Sequence, residues 1–417
     1  MAQQYQPYKG VRDFYPREKR FQQYLFSIME KTAESFGYEA YDASLLEPTE
    51  LYTTKTSEEI ITEQTYTFTD RGGRSVTLRP EMTPTVARMV AQKRRELGFP
   101  LRWYSIPNCF RYERPQKGRG REFWQLNVDL FGVEGMTADA EIIELAYSIL
   151  KNYGATDDMF TIKVADRVLL ETAFDAVGMD KEQKKAYRQL LDKKRKLSDS
   201  EFKEASAKIT DTDPIALIEG TDDSVKEAEC AVRDLVETLH ARGVTNVEFD
   251  PSIVRGFDYY TGVVFEIFDT SGENLRSIFG GGRYDYLVEE YGGDHVPAVG
   301  FGMGDMTTQD FLITHNLLPE DRATADIYLA PISEADVEHA AGVAAFWREK
   351  GVNVALGIHH DTIAAHAKAA RKLAIPYLIV YGEDEAKSGM LRVKDLHTKE
   401  EQEVTLEDVP RVVYRDV

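Results

Sequence analysis

The chain has 417 residues, so we expect two or three domains, because a single hydrophobic core rarely grows that large. Its 42% hydrophobic and 29% charged residues are typical of a globular protein, and no apolar run approaches the roughly 18 residues that a membrane span needs. The net charge of −20 argues against broad non-specific nucleic-acid binding, yet it allows an RNA partner bound through a confined basic surface.

The N-terminal sequence and the cysteines favour a cytoplasmic location. The first 16 residues contain no apolar segment of the kind that a secretory signal needs. Cys109 and Cys230 have neither metal-ligand spacing nor a disulfide framework, which suits a reducing compartment. Cys109 lies in an apolar stretch, where we expect it to be packed rather than reactive.

In chain order, the first predicted element is a helix over 17–36, whose apolar residues recur every three or four positions. An extended piece ends at Pro48, and paired glycines in RGGR predict a hairpin between 65–70 and 75–81. A helix over 83–97 precedes two strands, 101–113 and 121–135, which flank the polar loop PQKGRG. Thr137 is the predicted N-cap of the next helix.

Beyond that helix, the pattern changes twice. A charged, helix-rich segment spans 172–246, and strands resume at 247. From about residue 325, short apolar strands alternate with alanine-rich helices, which predicts a small α/β domain with a largely parallel sheet.

The loop between the two strands is basic. Residues 111–123 hold five cations and two acids, a net charge of +3: Arg111, Glu113, Arg114, Lys117, Arg119, Arg121 and Glu122. Guanidinium groups pair bidentately with phosphate oxygens, so this loop could grip a polyphosphate. On charge alone, a solvated basic hairpin tip explains the pattern equally well.

The stretch FRYERPQKGRGREFWQLNVD (110–129) resembles motif 2 of class II aminoacyl-tRNA synthetases, in the form used by histidyl-tRNA synthetases. The resemblance implies that Arg111 contacts the α-phosphate of ATP and the carboxylate of the amino acid. It also implies that Glu113 and Arg119 belong to the ATP site, with Arg119 at the outer phosphates. Phe123 would stack on adenine, for which an aromatic face is suited.

The segment VRGFDYYTG (254–262) is by itself an ambiguous strand edge. It resembles the histidine-specific motif of the same family. The resemblance implies that Arg255 reaches the α-phosphate and does the work of a second metal ion, because a fixed guanidinium can neutralise charge that builds on phosphoryl oxygens. Tyr259 and Tyr260 would border the imidazole pocket.

A third segment, SIFGGGRYDYLVEEYGG (277–293), resembles the second histidine-specific motif. Its three glycines would let the backbone pass closely beneath the substrate, and Tyr284 would join the binding site. The family usually has small residues where this chain has Phe279 and Tyr286, which bears on the shape of the pocket.

Acidic and polar residues complete the predicted histidine site. LRPEMT (78–83) resembles the family's substrate loop, which implies that Glu81 and Thr83 bind the α-ammonium and that Met82 belongs to the histidine-binding set. A carboxylate is the natural partner of a buried ammonium. Gln125 and Asp129 lie four apart on one predicted strand and therefore share a face. By resemblance, Gln125 binds the ammonium or carboxylate and Asp129 accepts from the imidazole N–H.

This chain departs from the family pattern at motif 3 of class II enzymes. The family has an arginine after a glycine-rich strand, and this arginine neutralises the γ-phosphate of ATP. In VGFGMGDMTTQDFL, Thr307 occupies that position and Gln309 is no cationic substitute. Either Arg119, Arg114 or a shifted basic residue replaces the arginine, or amino-acid activation is reduced or lost.

Two weaker signals have plain alternatives. Residues 181–196 carry eight basic and two acidic residues, a charge of +6, which indicates either a site near the tRNA acceptor stem or a solvated helix face. His359, His360 and His366 have no cysteine partner, so we expect no metal there but a tRNA-facing or surface role.

From 325 onward the chain resembles the anticodon-binding domain of these synthetases, notably in YLIVYGEDEAKSGMLRVKDL, despite a charge of 11 − 16 = −5. The resemblance implies an α+β fold: a class II antiparallel-sheet catalytic domain (1–171 and 247–320), a helical insertion (172–246) and an α/β anticodon-binding domain (325–417).

The implied reaction uses ATP and Mg²⁺ to activate L-histidine to histidyl-adenylate and transfers histidine to tRNA(His). The segment 17–48 would form a homodimer interface. The alternative is a non-catalytic histidine-binding paralogue, similar to the regulatory subunit of ATP phosphoribosyltransferase.

Overall fold

The computed structural model describes residues 5–53, 64–194, 197–220, 222–255, 259–274, 276–358 and 362–413. The chain divides into two compact units, residues 1–318 and 319–417. Within the described ranges, no helix combines the length and the apolar character needed to cross a membrane.

Within its described residues, the first unit contains twelve strands. In chain order they are β1 (Glu39–Ala40), β2 (Leu46–Pro48), β3 (Tyr66–Thr69), β4 (Ser75–Leu78), β5 (Leu101–Ser105), β6 (Asn108–Phe110), β7 (Glu122–Phe131), β8 (Phe160–Asp166), β9 (Val247–Phe249), β10 (Val263–Asp269), β11 (Ser277–Arg283) and β12 (Ala298–Gly304). The main sheet has the order β1-β5-β7-β12-β11-β10-β8-β9, with β6 also paired to β7, and a small sheet has the order β2-β4-β3. The main sheet is antiparallel except at its two edges, where β1–β5 and β8–β9 are parallel.

Eleven helices accompany these strands within the described residues. They are α1 (Pro16–Ser35), α2 (Glu50–Thr53), α3 (Thr83–Lys93), α4 (Met136–Asn152), α5 (Arg167–Ala176), α6 (Lys181–Lys193), α7 (Asp199–Ala207), α8 (Pro214–Glu219), α9 (Lys226–Ala241), α10 (Leu287–Glu290) and α11 (Asp305–Thr314). The segment α5–α9 shares one continuous hydrophobic core with the main sheet, through buried residues such as Tyr187, Phe202 and Leu235.

Local chemistry explains where these elements begin and end. The predicted stripe of α1 buries Leu25, Met29 and Ala33. The prediction that Thr137 caps α4 is wrong, because the helix already begins at Met136, behind Gly135 with φ 76°. The strand predicted over 101–113 is divided into β5 and β6 at Pro107, which has no N–H to donate to a ladder.

The second unit contains five strands and four helices within the described residues. They are β13 (Ile327–Pro331), α12 (Asp336–Glu349), β14 (Val354–Leu356), α13 (Ile363–Lys372), β15 (Tyr377–Tyr381), α14 (Glu383–Ser388), β16 (Met390–Asp395), β17 (Glu401–Thr405) and α15 (Val409–Val413). The strand order is β14-β13-β15-β16-β17. The prediction of a largely parallel sheet holds for β13–β14 and β13–β15, which are parallel. It is wrong for β15–β16 and β16–β17, which form an antiparallel meander.

The weaker sequence signals have mixed outcomes. His366 is buried, with Nδ1 3.3 Å from the Tyr328 hydroxyl, so the expectation of a surface role is wrong for it. His359 and His360 lie outside the described residues. In the basic segment, Lys184 bonds to Asp175 on α5 and so is partly neutralised; residues 195–196 fall outside the described part of the chain.

The α+β fold class is therefore confirmed: a large, mainly antiparallel sheet with helices, followed by a separate mixed α/β unit.

Candidate active site

One polar cavity lies over the centre of the main sheet, where β7, β12 and β11 are neighbours. Its lining gathers residues from four distant parts of the chain: Glu81, Thr83, Arg111, Gln125, Asn127, Asp129, Arg255, Tyr259, Tyr260, Tyr284, Gly300, Phe301 and Gly302. Every predicted histidine-site residue except Met82 is in this set. Residues 256–258 of the histidine-specific motif lie outside the described residues.

Strand β7 supplies three side chains to this cavity at alternate positions, as its period of two requires. They are Gln125, Asn127 and Asp129. Asn127 is not among the residues predicted from the sequence, although the same periodicity points to it. Glycines on β12 make room for this row: a Cβ on Gly300 would lie 2.4 Å from Asp129 Oδ1. No larger residue fits there while Asp129 keeps its position.

Asp129 is one of two buried acids in the cavity, with an exposed fraction of 2%. The Tyr284 hydroxyl donates a hydrogen bond to Oδ1. Burial raises the pKa of Asp129 to about 7, against hydrogen bonding from Tyr284 and Tyr41 that lowers it. Tyr41 is not among the residues predicted from the sequence, because it follows β1 and no local motif marks it.

Glu81 is the second buried acid of the cavity. It precedes α3 and accepts a hydrogen bond of 3.1 Å from the Tyr259 hydroxyl. Thr83, the first residue of α3, lies beside it on the cavity wall. Met82 does not line the cavity: it is fully buried, with its sulfur 3.9 Å from Arg79 Nη1. Its predicted contact with substrate is not supported by this arrangement.

A second cavity of about 160 Å³ adjoins the first. Arg111, Gln125 and Gly302 line both. Three of its other lining residues belong to the predicted ATP set: Glu113, Arg119 and Phe123. Arg119 Nε lies 2.6 Å from Glu113 Oε2, so the loop is held by an internal ion pair.

Arg255 lines the first cavity but not the second, although the sequence analysis assigned it to both substrates. Its Nη1 donates to Glu266 Oε1 at 3.2 Å. A Cβ on Gly280 would lie 2.5 Å from the same Nη1, so the glycine of β11 gives the guanidinium its place.

Thr307, which stands where the family has an arginine, lies in the first turn of α11. Its hydroxyl donates to the Gly304 carbonyl at 3.2 Å. Thr307 lines the second cavity and also a third one of about 240 Å³, whose charged residues are Lys117, Arg276, Glu273 and Asp310. Arg114 lines neither this cavity nor the second one. Arg276 was missed by the sequence analysis because it belongs to no recognised motif.

The N-terminal segment reaches the same region. Arg12 Nη2 lies 2.6 Å from Asp305 Oδ2, and the Trp124 N–H donates to Oδ1 at 3.1 Å. Asp305 is 3% exposed, and burial raises its pKa while Arg12 opposes the shift. Asp305 also lines the second cavity, so this pair fixes one of its walls. The two residues are 293 positions apart, and no sequence pattern links them.

Comparison with known proteins gives a consistent result. The sequence model described as "Histidyl-tRNA synthetase" matches residues 10–306, and that described as "Anticodon binding domain" matches residues 326–415. Proteins named histidine–tRNA ligase from Leptospira biflexa and Opitutus terrae are 40% and 37% identical. The first alignment covers 94% of this chain and 93% of the relative, and the second covers 98% of each.

Solved structures agree on the fold. The crystal structure of histidyl-tRNA synthetase from Nostoc superposes with a TM-score of 0.86 at 21% identity, covering 100% of both chains. A Bacillus halodurans structure titled ATP phosphoribosyltransferase regulatory subunit/histidyl-tRNA synthetase reaches 0.71 at 24% identity, covering 91% of this chain and 98% of the other. With a family match over most of its length and relatives of up to 40% identity, the chain belongs to the histidyl-tRNA synthetase family.

Proposed function

We propose that this protein is a histidine–tRNA ligase, which activates L-histidine with ATP and transfers it to tRNA(His). The observation that carries the proposal is the pair of adjoining cavities. One holds two buried acids among tyrosines, as a small cationic amino acid requires, and the other is lined by Arg111 and Arg119 of motif 2. Arg111 belongs to both and so lies where the two substrates would meet.

In the first step, the histidine carboxylate attacks the α-phosphorus of ATP, the bond to the β-phosphate breaks, and histidyl-adenylate and pyrophosphate form. Arg111 and Arg255 neutralise the charge that develops on the phosphoryl oxygens, and Phe123 stacks on adenine. Glu113 and Arg119 hold the loop at the outer phosphates. In the second step, a ribose hydroxyl of the tRNA terminus attacks the adenylate carbonyl and AMP leaves.

Selection of histidine rests on buried polar partners. Glu81, Thr83 and Gln125 bind the α-ammonium and carboxylate, while Asp129 accepts from an imidazole N–H. Tyr259, Tyr260 and Tyr284 enclose the ring. An apolar analogue would leave these groups unpaired, which penalises it strongly.

Mg²⁺ would enter with the nucleotide, where it shields the phosphates. Among the described residues, no group of three or more His, Cys, Asp or Glu side chains could hold a metal ion by itself. The carboxylates nearest the nucleotide cavity are engaged by arginines: Glu113 by Arg119 and Asp305 by Arg12. These residues therefore fit a Mg²⁺ ion that is held mainly by the phosphate oxygens of the nucleotide.

We assign activation to residues 1–171 and 247–320, acceptor-stem contacts to 172–246 and anticodon binding to 325–417. We further propose a cytoplasmic homodimer formed through α1 and the following strand. Phe21, Tyr24 and Ile28 on α1 are only partly buried within one chain, which leaves apolar area for a partner. Sedimentation equilibrium tests the dimer: a mass of one chain at micromolar concentration would refute it.

The regulatory alternative is less well supported. It is favoured only by the absence of an arginine at Thr307. Against it stand the histidine–tRNA ligases aligned over 94–98% of the chain and the match to an anticodon-binding domain.

Histidine-dependent ATP–pyrophosphate exchange tests the proposal. We expect exchange with histidine and a loss of about 100-fold or more in kcat for Arg255→Ala, because one preorganised transition-state contact is removed. Arg322→Ala, at an exposed arginine, is the matched control and should keep wild-type rates. Histidine binding without exchange, by the wild-type protein, would favour the regulatory alternative. Exchange with another amino acid only would overturn the histidine assignment.

The cation that compensates for Thr307 can be tested in the same assay. Lys117 and Arg276 line the cavity beside Thr307, and we propose that they neutralise the outer phosphates. Lys117→Ala combined with Arg276→Ala should raise the KM for ATP about tenfold and leave the KM for histidine unchanged. Thr307→Arg added to this double variant should restore the KM for ATP. If the double variant has wild-type kinetics, neither Lys117 nor Arg276 neutralises the outer phosphates.

A further inference from the structure

Three buried polar atoms at the histidine cavity lack a hydrogen bond of good geometry: the Tyr41 hydroxyl, Ser105 Oγ and Asp129 Oδ2. Buried polar atoms are nearly always paired, because an unpaired one forfeits its hydration. Ser105 and Asp129 are 3% and 2% exposed, so bulk water does not compensate. Three such atoms in one place indicate a feature of the site rather than three separate defects.

Strand register brings the three side chains to the same face of the sheet. The Tyr41 N–H bonds to the Tyr104 carbonyl, which continues the pairing of β1 with β5. On the other side of β5, Trp103 lies opposite Asp129 and Ser105 lies opposite Asn127. The rings of Tyr41 and Trp103 pack at 5.6 Å between centroids.

Neither Tyr41 nor Ser105 belongs to the cavity lining, whereas Asp129 does. The Tyr41 hydroxyl interacts electrostatically with both Ser105 and Asp129, but no well-aligned hydrogen bond forms among them. Tyr41 and Ser105 thus lie outside the cavity lining, and Oδ1 of the carboxylate already accepts from Tyr284.

We infer that Tyr41 and Ser105 are positioning residues for Asp129: they hold its second oxygen and so set the pH range over which the site accepts the imidazole of histidine. The inference rests on the proposed function. When the imidazole N–H approaches, an ionised and correctly turned carboxylate must be ready to accept it. The hydroxyl of Tyr41 can donate to Oδ2 and favour that ionised form.

The groups that face Asp129 support this direction. Tyr284 and Tyr41 both act to lower its pKa against burial. The charge of Asp129 also raises the pKa of Tyr38, which lies just before β1. The charge of Arg79, just after β4, lowers the pKa of Tyr41. Loss of the Tyr41 hydroxyl removes one of two donors, so the pKa of Asp129 rises and the ionised fraction at neutral pH falls. The imidazole itself titrates near pH 6.5, within the same interval.

The test measures the KM for histidine and the KM for ATP between pH 6 and 9, in the exchange assay with the full-length protein. We expect Tyr41→Phe to raise the KM for histidine about tenfold at pH 7, the usual size of one hydrogen bond to a charged group. The difference should shrink toward pH 9, and the KM for ATP should not change. Ser105→Ala should act in the same direction with a smaller effect.

Tyr38→Phe is the matched control, because it also removes one buried tyrosine hydroxyl, but one that donates to Glu141. We expect it to keep the wild-type pH profile. Superimposable histidine profiles for Tyr41→Phe and the wild type would overturn the inference, as would equal increases in both KM values. If the wild-type protein shows no histidine-dependent exchange, the proposed function itself fails instead.

Discussion

Replacement of Asp129 by asparagine separates the stability of the empty site from its function. At its buried position, the pKa of Asp129 is raised to about 7 from an ordinary value of 3.8. Between these two values, the folded protein keeps a proton that the unfolded chain has released. Rising pH therefore favours unfolding. The stabilisation that the protonated Asp129 gives the folded protein at low pH is gone once the pH passes about 7.

The expected magnitude follows from this interval. Each pH unit between about 5 and 7 costs the wild-type protein about 1.4 kcal/mol through Asp129, so about 3 kcal/mol is lost over the two units. Asparagine does not titrate and can still accept from the Tyr284 hydroxyl. We expect Asp129→Asn to gain about 3 kcal/mol relative to the wild type between pH 5 and pH 8, while losing histidine binding.

The assay is calorimetric unfolding of both proteins without substrates, at pH 5 and at pH 8. Asp157→Asn is the control, because the pKa of Asp157 is lowered by Lys151 and other hydrogen-bond donors and its titration lies below this pH range. The difference between Asp157→Asn and the wild type should be the same at both pH values. A difference for Asp129→Asn that is also independent of pH would refute the reasoning about Asp129.

Two further predictions concern the walls of the site. Arg12→Ala should destabilise the protein by about 3 kcal/mol, because it leaves the buried charge of Asp305 uncompensated. Asp305→Ala in the same chain should recover part of this loss. Urea unfolding of the single and double variants measures both effects, and additive losses of stability would contradict the pairing. Gly300→Ala should abolish histidine-dependent exchange, because its Cβ would lie 2.4 Å from Asp129 Oδ1. The control Gly342→Ala, on α12 with open space around it, should leave exchange intact and stabilise α12 by up to about 1 kcal/mol. An active Gly300→Ala variant would contradict the prediction and show that the strand can move.

Residues on regular elements were predictable from local pattern. Gln125 and Asp129 share a face because β7 has a period of two, and the hairpin of β3 and β4 follows from the glycines of its turn. Motif resemblance then brought Glu81 and Arg255, which are far apart in sequence, into one expected site. The two residues line one cavity only because of the strand order of the main sheet, and no single segment of the sequence determines that order.

The missed features depend on contacts between distant segments. Arg12 meets Asp305 across 293 positions, and Tyr41 reaches Asp129 only because β1 pairs with β5. Neither residue has a neighbour in sequence that marks its role. The error at Thr137 has another cause: a threonine is a plausible cap, but Gly135 at positive φ had already turned the chain into the helix.

The strand order also has a consequence for synthesis of the chain. Strand β12 lies between β7 and β11, yet it leaves the ribosome after both of them. Until residues 298–304 emerge, those two strands each present an unpaired edge, which is a template for pairing with other chains. We therefore expect the main sheet to close late, and a product that stops before residue 298 to aggregate and to be fully inactive.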